Sequence, residues 1–180
     1  VVGIISILTF CLLVVPLAAD AQQAGKVYRI GVLSPRYCRD ELFDHFLRGM
    51  RDLGYVEGKT YILEWRCAEG KYDRLPGLAA ELVHLNVDVL VAVASPAIRA
   101  AKQATATIPI VFPTTGDPVG SGFVASLARP GGNVTGLSNV NVDVSAKLLE
   151  LVTVMVPKLS RVAVLGNPGS STYLAHLKSI

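Results

Sequence analysis

Apolar positions along this chain alternate between two spacings. From Val27 to Leu33 they form a short, β-branched run closed by Ser34-Pro35, which reads as a buried strand. From Glu41 to Leu53 the spacing becomes helical. Leu42, Phe43, Phe46, Leu47, Met50 and Leu53 fall on one face, and Gly54 is a suitable stop. Thr60 to Trp65 predicts a second strand. Leu75, Leu78, Ala79, Leu82 and Val83 mark a second amphipathic helix. Asp88 to Val93 predicts a third strand, with Ser95-Pro96 opening the next helix, and Ile108 to Phe112 a fourth. Val119 to Leu127 has helical spacing and ends at Arg129-Pro-Gly-Gly132. Val134 to Leu137 predicts a fifth strand and Val144 to Val156 a longer helix. Arg161 to Leu165 begins another strand, and a helix starts near Ser170.

Strands alternating with helices at this spacing imply βαβ units, a mostly parallel sheet and right-handed crossovers, hence a doubly wound α/β sandwich. Such sheets bind ligands outside the carboxyl ends of their strands. That rule selects Ser34 after strand one, Ser95 after strand three, and Thr114, Thr115 and Asp117 after strand four.

The chemistry of these loops leaves two readings open. Serine is a preferred N-cap and proline a preferred first helical residue. Ser95-Pro96 therefore either caps its own helix or presents that helix's N-terminus to an anionic group such as a carboxylate. Thr114-Thr115-Gly116-Asp117-Pro118 offers two hydroxyls and a carboxylate in one turn. Asp117 either meets a ligand ammonium or caps a helix starting at Pro118; the threonines are the better ligand candidates.

Composition narrows the class. Half of the residues are apolar (51%), and 17 Lys and Arg stand against 14 Asp and Glu, for a formal net charge of +3. The charges are interspersed, which argues against a nucleic-acid or membrane surface. Residues 1–19 carry no charge and lead to Ala19-Asp20-Ala21, so residues 1–21 read as a secretory signal cleaved after Ala21. A membrane anchor is the competing reading. A lipid anchor on Cys11 is disfavoured by the bulky Phe10 before it. Export places Cys38 and Cys67 where disulfides are allowed. Each follows a strand, and the two strands are neighbours in the doubly wound order. A Cys38–Cys67 bond is therefore expected if the Cα atoms approach within about 7 Å.

Catalytic signatures are missing from the sequence. It has no Gly-x-Ser-x-Gly elbow, no Walker motif and no Gly-x-Gly-x-x-Gly after strand one. Gly166-Asn-Pro-Gly-Ser-Ser171 reads as a plain strand-to-helix turn. His45, His84 and His176 lie on predicted helices with no ligand neighbour at metal spacing, so neither a metal nor another cofactor is expected. Trp65 reads as sheet packing rather than a ligand platform. Asn133-Val-Thr135 matches a glycosylation sequon, a pattern short enough to arise by chance.

Three segments carry a resemblance. Arg51-Asp-Leu-Gly-Tyr-Val-Glu-Gly58 leads into Glu64-Trp-Arg-Cys-Ala-Glu-Gly-Lys71. Ala104-Thr-Ala-Thr-Ile-Pro-Ile-Val-Phe112 is the second. The third runs from Gly116-Asp-Pro-Val-Gly-Ser-Gly-Phe123 through Arg129-Pro-Gly-Gly-Asn-Val-Thr-Gly136. Over residues 26–180 the chain resembles the ABC transporter substrate-binding proteins, whose members include tryptophan and other aromatic amino acid binders. The resemblance implies a type I periplasmic-binding-protein fold, two α/β lobes closing over a solute. It also implies an ABC permease and ATPase as partners, and a periplasmic or secreted location. In that family the first-lobe contacts come from the loops at Ser34, Ser95 and Thr114-Thr115. The expected organisation is a signal at 1–21, an N-terminal α/β lobe at 26–137, and a crossover with a truncated second lobe at 138–180. The expected function is capture of a small carboxylate-bearing solute, with an aromatic amino acid as one case, and without catalysis. Two alternatives remain. One is an α/β enzyme using the same loops. The other is a periplasmic-binding-like regulator, which requires a basic helix-turn-helix where the apolar leader stands.

Overall fold

A computed structural model describes residues 26–39, 41–139 and 145–165. Its elements are β1 (Tyr28–Ser34), α1 (Glu41–Asp52), β2 (Tyr61–Cys67), α2 (Leu75–His84), β3 (Val89–Ala92), α3 (Ala94–Ala104), β4 (Ile110–Thr115), β5 (Val134–Ser138) and α4 (Ser145–Met155). A short 3₁₀ turn, Tyr72–Arg74, precedes α2. The five strands form one sheet in the order β2-β1-β3-β4-β5, and every pairing is parallel. This is the doubly wound α/β architecture expected of one lobe of a periplasmic-binding-like protein.

Period-two alternation sends the strand residues to opposite faces of the sheet. On one face, Leu33, Leu90, Ile110, Phe112 and Val134 pack under α2 and α3, through Leu75, Leu78, Leu82 and Ile98. On the other, Ile30, Val32 and Val91 meet Phe43 and Leu47 of α1, together with Tyr61 of β2. Gly31 lets the helix side chains approach β1 closely. A Cβ there would lie 2.9 Å from Leu90 Cδ2 and 3.2 Å from Leu82 Cδ2. The amino edge is closed by Asp88, whose carboxylate accepts from Arg29 N at 2.8 Å and pairs with Lys26. The Arg29 amide, then Lys26, hold its carboxyl below the ordinary aspartate range.

Several sequence expectations need correction. Residues 119–127 are not a helix but a chain of turns. Gly122 takes φ +69°, and Phe123 N and Val124 N both donate to Pro118 O, bonds that span five and six residues and so close a wider loop than the four-residue repeat of an α-helix. Phe123 and Val124, adjacent in sequence, are the buried pair, while Leu127 is exposed. β4 runs on to Thr115, so Thr114 and Thr115 belong to the strand end rather than to a turn. Leu53 lies beyond α1 and is exposed. Among the described residues, 161–165 are exposed and join no strand ladder. Residues 1–21, His176 and the helix expected near Ser170 lie outside the described residues.

Candidate functional site

In the order β2-β1-β3-β4-β5 the winding reverses between β1 and β3. Crossovers leave the sheet in opposite directions there, so a crevice opens at the carboxyl ends of those strands. A cavity of about 330 Å³ lies at that edge. Its floor is Val32 of β1 with Val91 and Val93 around the end of β3. Its aromatic wall is Phe43 and Phe46 of α1 with Trp65 of β2. Phe43 packs at 4.9 Å from Phe46 and edge-on at 4.3 Å from Trp65, between ring centroids. Tyr37 and Cys38 form a third side, Pro113 and Thr114 a fourth, and Ser34 is the hydroxyl at the end of β1.

A β-bulge shapes the fourth side. Phe112 pairs with Gly136, and the next partners are Thr115 and Ser138, so three steps along β4 match two along β5. Pro113, with no N–H to donate, sits inside this slip. Thr114 consequently lines the cavity, where its Oγ1 accepts from Asn139 Nδ2 at 3.2 Å. Thr115 turns inward and is buried, with Oγ1 3.4 Å from Ser95 Oγ.

The proposed site residues therefore fall into three places. Ser34 and Thr114 share the cavity wall. Ser95 and Thr115 meet beneath it, both buried. Ser95 does not cap its own helix. α3 begins at Ala94, with Val93 in the cap position and no side-chain cap bond, and Pro96 lies in the first turn. Ala94 takes φ +63°, which turns the chain sharply from β3 into α3. Asp117 is drawn away into the following turn, where its Oδ1 accepts from Gly120 N at 2.7 Å, and no helix starts at Pro118.

Sequence reasoning did not assign Tyr37, Phe43, Phe46 or Trp65 to a site. Trp65 packs against the sheet, as expected, and also lines the cavity. The Arg39 guanidinium lies 6.0 Å from its ring centre. A usable signal was in the spacing: Trp65 and Cys67 are two apart on one strand and so share the cavity face. Asn133 of the sequon is half-buried and donates to Ile108 O at 2.8 Å and Thr105 O at 3.3 Å, a structural role. His45 and His84 are exposed on α1 and α2. No group of three His, Cys, Asp or Glu side chains converges among the described residues. Among them, too, no helix is long and apolar enough to cross a membrane.

The cysteine expectation is met. Cys38 and Cys67 are disulfide-bonded, with Cα atoms 5.4 Å apart.

Fold and crevice thus define the class: one α/β lobe of a periplasmic-binding-like protein. The family model described as ABC transporter substrate binding protein matches residues 32–179, and the chain belongs to that family. A tyrosine-binding protein of Clostridioides difficile (strain R20291) is 34% identical over 123 residues, covering 68% of this chain and 35% of that protein. A conserved domain protein of Vibrio cholerae O1 biovar eltor superimposes with a TM-score of 0.76 at 33% identity, covering 85% of this chain and 52% of that one. An ABC domain from Streptococcus pneumonia in complex with L-Trp gives a TM-score of 0.75 at 24% identity, with the same coverage, a likeness of fold. The chain spans about half the length of these solved structures.

Proposed function

We propose that this chain supplies the first lobe, residues 26–137, of the solute-binding component of an ABC importer. In this reading residues from 138 onward enter a second lobe, and the solute is a small carboxylate bearing an aromatic side chain. The observation that carries it is the cavity at the winding reversal. Three aromatic rings and three valines give it an apolar interior, and Ser34 and Thr114 supply hydroxyls at its edge. An aromatic side chain enters such an interior, while hydroxyls and the nearby Arg39 suit a carboxylate. The tyrosine-binding and L-Trp-bound relatives support the same solute class. The protein works outside the cytoplasm, delivers its solute to a permease and ATPase, and performs no catalysis. Its role ends with binding and release.

The test is calorimetric titration of the whole protein, as produced from its gene, with the natural amino acids. Binding of L-Tyr, L-Trp or L-Phe in preference to aliphatic and charged amino acids is expected. Ser95→Ala is expected to weaken that binding by about 1 kcal/mol, through the lost hydrogen bond that sets Thr115. A protein that binds none of the aromatic amino acids overturns the assignment.

A further inference from the structure

Tyr37 is held on both sides of its backbone. The parallel pairing of β1 and β2 ends at Ser34 and Cys67, but the hydrogen bonding continues past it. Ala68 N donates to Ser34 O at 2.9 Å, Gly70 N to Pro35 O at 2.9 Å, and Glu69 N to Arg36 O at 3.0 Å. Glu69 and Gly70 take φ +54° and +83°, which curls the segment after β2 back under the one after β1. These bonds fix the chain up to Arg36. The next covalent anchor is Cys38, bonded to Cys67, itself the register partner of Ser34. Tyr37 sits between the two anchors.

Its side chain is 75% exposed and lines the cavity that also holds Phe43, Phe46 and Trp65. An exposed aromatic ring at the mouth of an aromatic cavity offers apolar area that an incoming group can cover. Among the described residues, the last backbone bond to the neighbouring segment before Tyr37 is at Arg36, so without the disulfide ordering Tyr37 would cost entropy on binding.

We infer that Tyr37 is a specificity-determining residue of the solute site, and that the Cys38–Cys67 disulfide is the device that positions it. This rests on the reading that the cavity takes an aromatic solute. The bond lies at the rim of the cavity, where Cys38 is one of the lining residues, so it bears on the solute site as well as on the fold. Large rings gain most from a pre-set Tyr37, and small aliphatic side chains gain little.

The whole protein is titrated with L-Trp, L-Tyr, L-Phe and L-Val in five forms: unaltered, Tyr37→Ala, Tyr37→Phe, Cys38→Ser with Cys67→Ser, and that cysteine-free form with Tyr37→Ala added. Tyr37→Ala is expected to weaken the aromatic solutes about tenfold, the scale of a lost aromatic anchor, and to leave L-Val within about twofold. Tyr37→Phe retains the affinity. The cysteine-free form loses the same aromatic preference, and adding Tyr37→Ala to it costs little more, because the ring is no longer positioned. Equal affinities in the unaltered and Tyr37→Ala proteins overturn the proposal. So does a folded cysteine-free form that keeps the full preference for aromatic solutes. If the cysteine-free chain does not fold, the bond is opened instead by mild reduction of the folded protein, and unchanged aromatic preference after reduction overturns the positioning role. An unaltered protein that binds none of the four solutes removes the aromatic-solute reading and this inference with it. Binding that is merely insensitive to Tyr37 removes this inference alone.

Discussion

Gly136 tests whether the fold and the candidate site are mechanically joined. It is the register partner of Phe112, on the same face of the sheet. Phe112 is 2% exposed, and its ring lies over the glycine: a Cβ added at Gly136 would stand 2.5 Å from both Cγ and Cδ2 of that ring. It would also strike the Phe112 carbonyl oxygen, which is backbone and moves only if β4 and β5 part. Forcing one carbon into so full a space costs about 1–3 kcal/mol. Parting the strands also loosens two bonds beyond the bulge, Asn139 N to Thr115 O at 3.0 Å and Asn139 Nδ2 to Thr114 Oγ1 at 3.2 Å. Each is worth about 0.5–1.5 kcal/mol. Gly136→Ala should therefore destabilise the lobe by about 2–4 kcal/mol, a large share of the roughly 5–15 kcal/mol that holds a domain folded. Urea unfolding followed by circular dichroism measures it, and calorimetry on the folded fraction should show weaker solute binding because Thr114 has moved. Phe112→Leu in the Gly136→Ala background should recover part of the loss, a non-additivity expected of groups in contact. A Gly136→Ala protein with the unaltered midpoint, or two substitutions that simply add, would show that the ring does not occupy the glycine's slot.

Three further outcomes are expected. Gly49→Ala should raise stability by about 0.5–1 kcal/mol in the same unfolding assay, because Gly49 lies on the exposed side of α1 and an added Cβ meets nothing within 4 Å. Asn133→Ala should lower it by about 1–2 kcal/mol, since its amide satisfies the carbonyls of Thr105 and Ile108, and no glycan should be found there by mass spectrometry of the protein. Asp88→Asn should flatten the acid side of the stability curve. Its carboxyl titrates below the ordinary aspartate range when folded, so its contribution is full above that range and is lost as pH falls through the lowered value. Urea midpoints measured from pH 7 down to acid should thus differ most between the two proteins at neutral pH and converge below about pH 4. A constant gap would remove the carboxylate from the acid response.

The strands and most helices were legible in the sequence because their signal is local. Val27–Leu33 and Asp88–Val93 are apolar over a length only a buried strand needs, and Phe43, Phe46, Leu47 and Met50 repeat at the helical period. Parallel order followed from the alternation of elements, and with it the strand ends where Ser34, Ser95 and Thr114 stand. The pairing of Cys38 with Cys67 was legible on the same ground, since neighbouring strands end side by side. Residues 119–127 misled because Val119, Phe123 and Leu127 have helical spacing, while the turn at Gly122 and the bonds back to Pro118 O are set by what packs around them. Tertiary structure alone decided the rest. The bulge at Pro113 depends on how β4 meets β5, and it separates Thr114, facing the cavity, from Thr115, facing Ser95. The cavity joins Val32, Phe43, Trp65, Val93 and Thr114, which come from five separate stretches of the chain. Periodicity reports which face of an element is buried, but a cavity is the space left between elements, and its walls are chosen by register and crossover, which no single segment encodes.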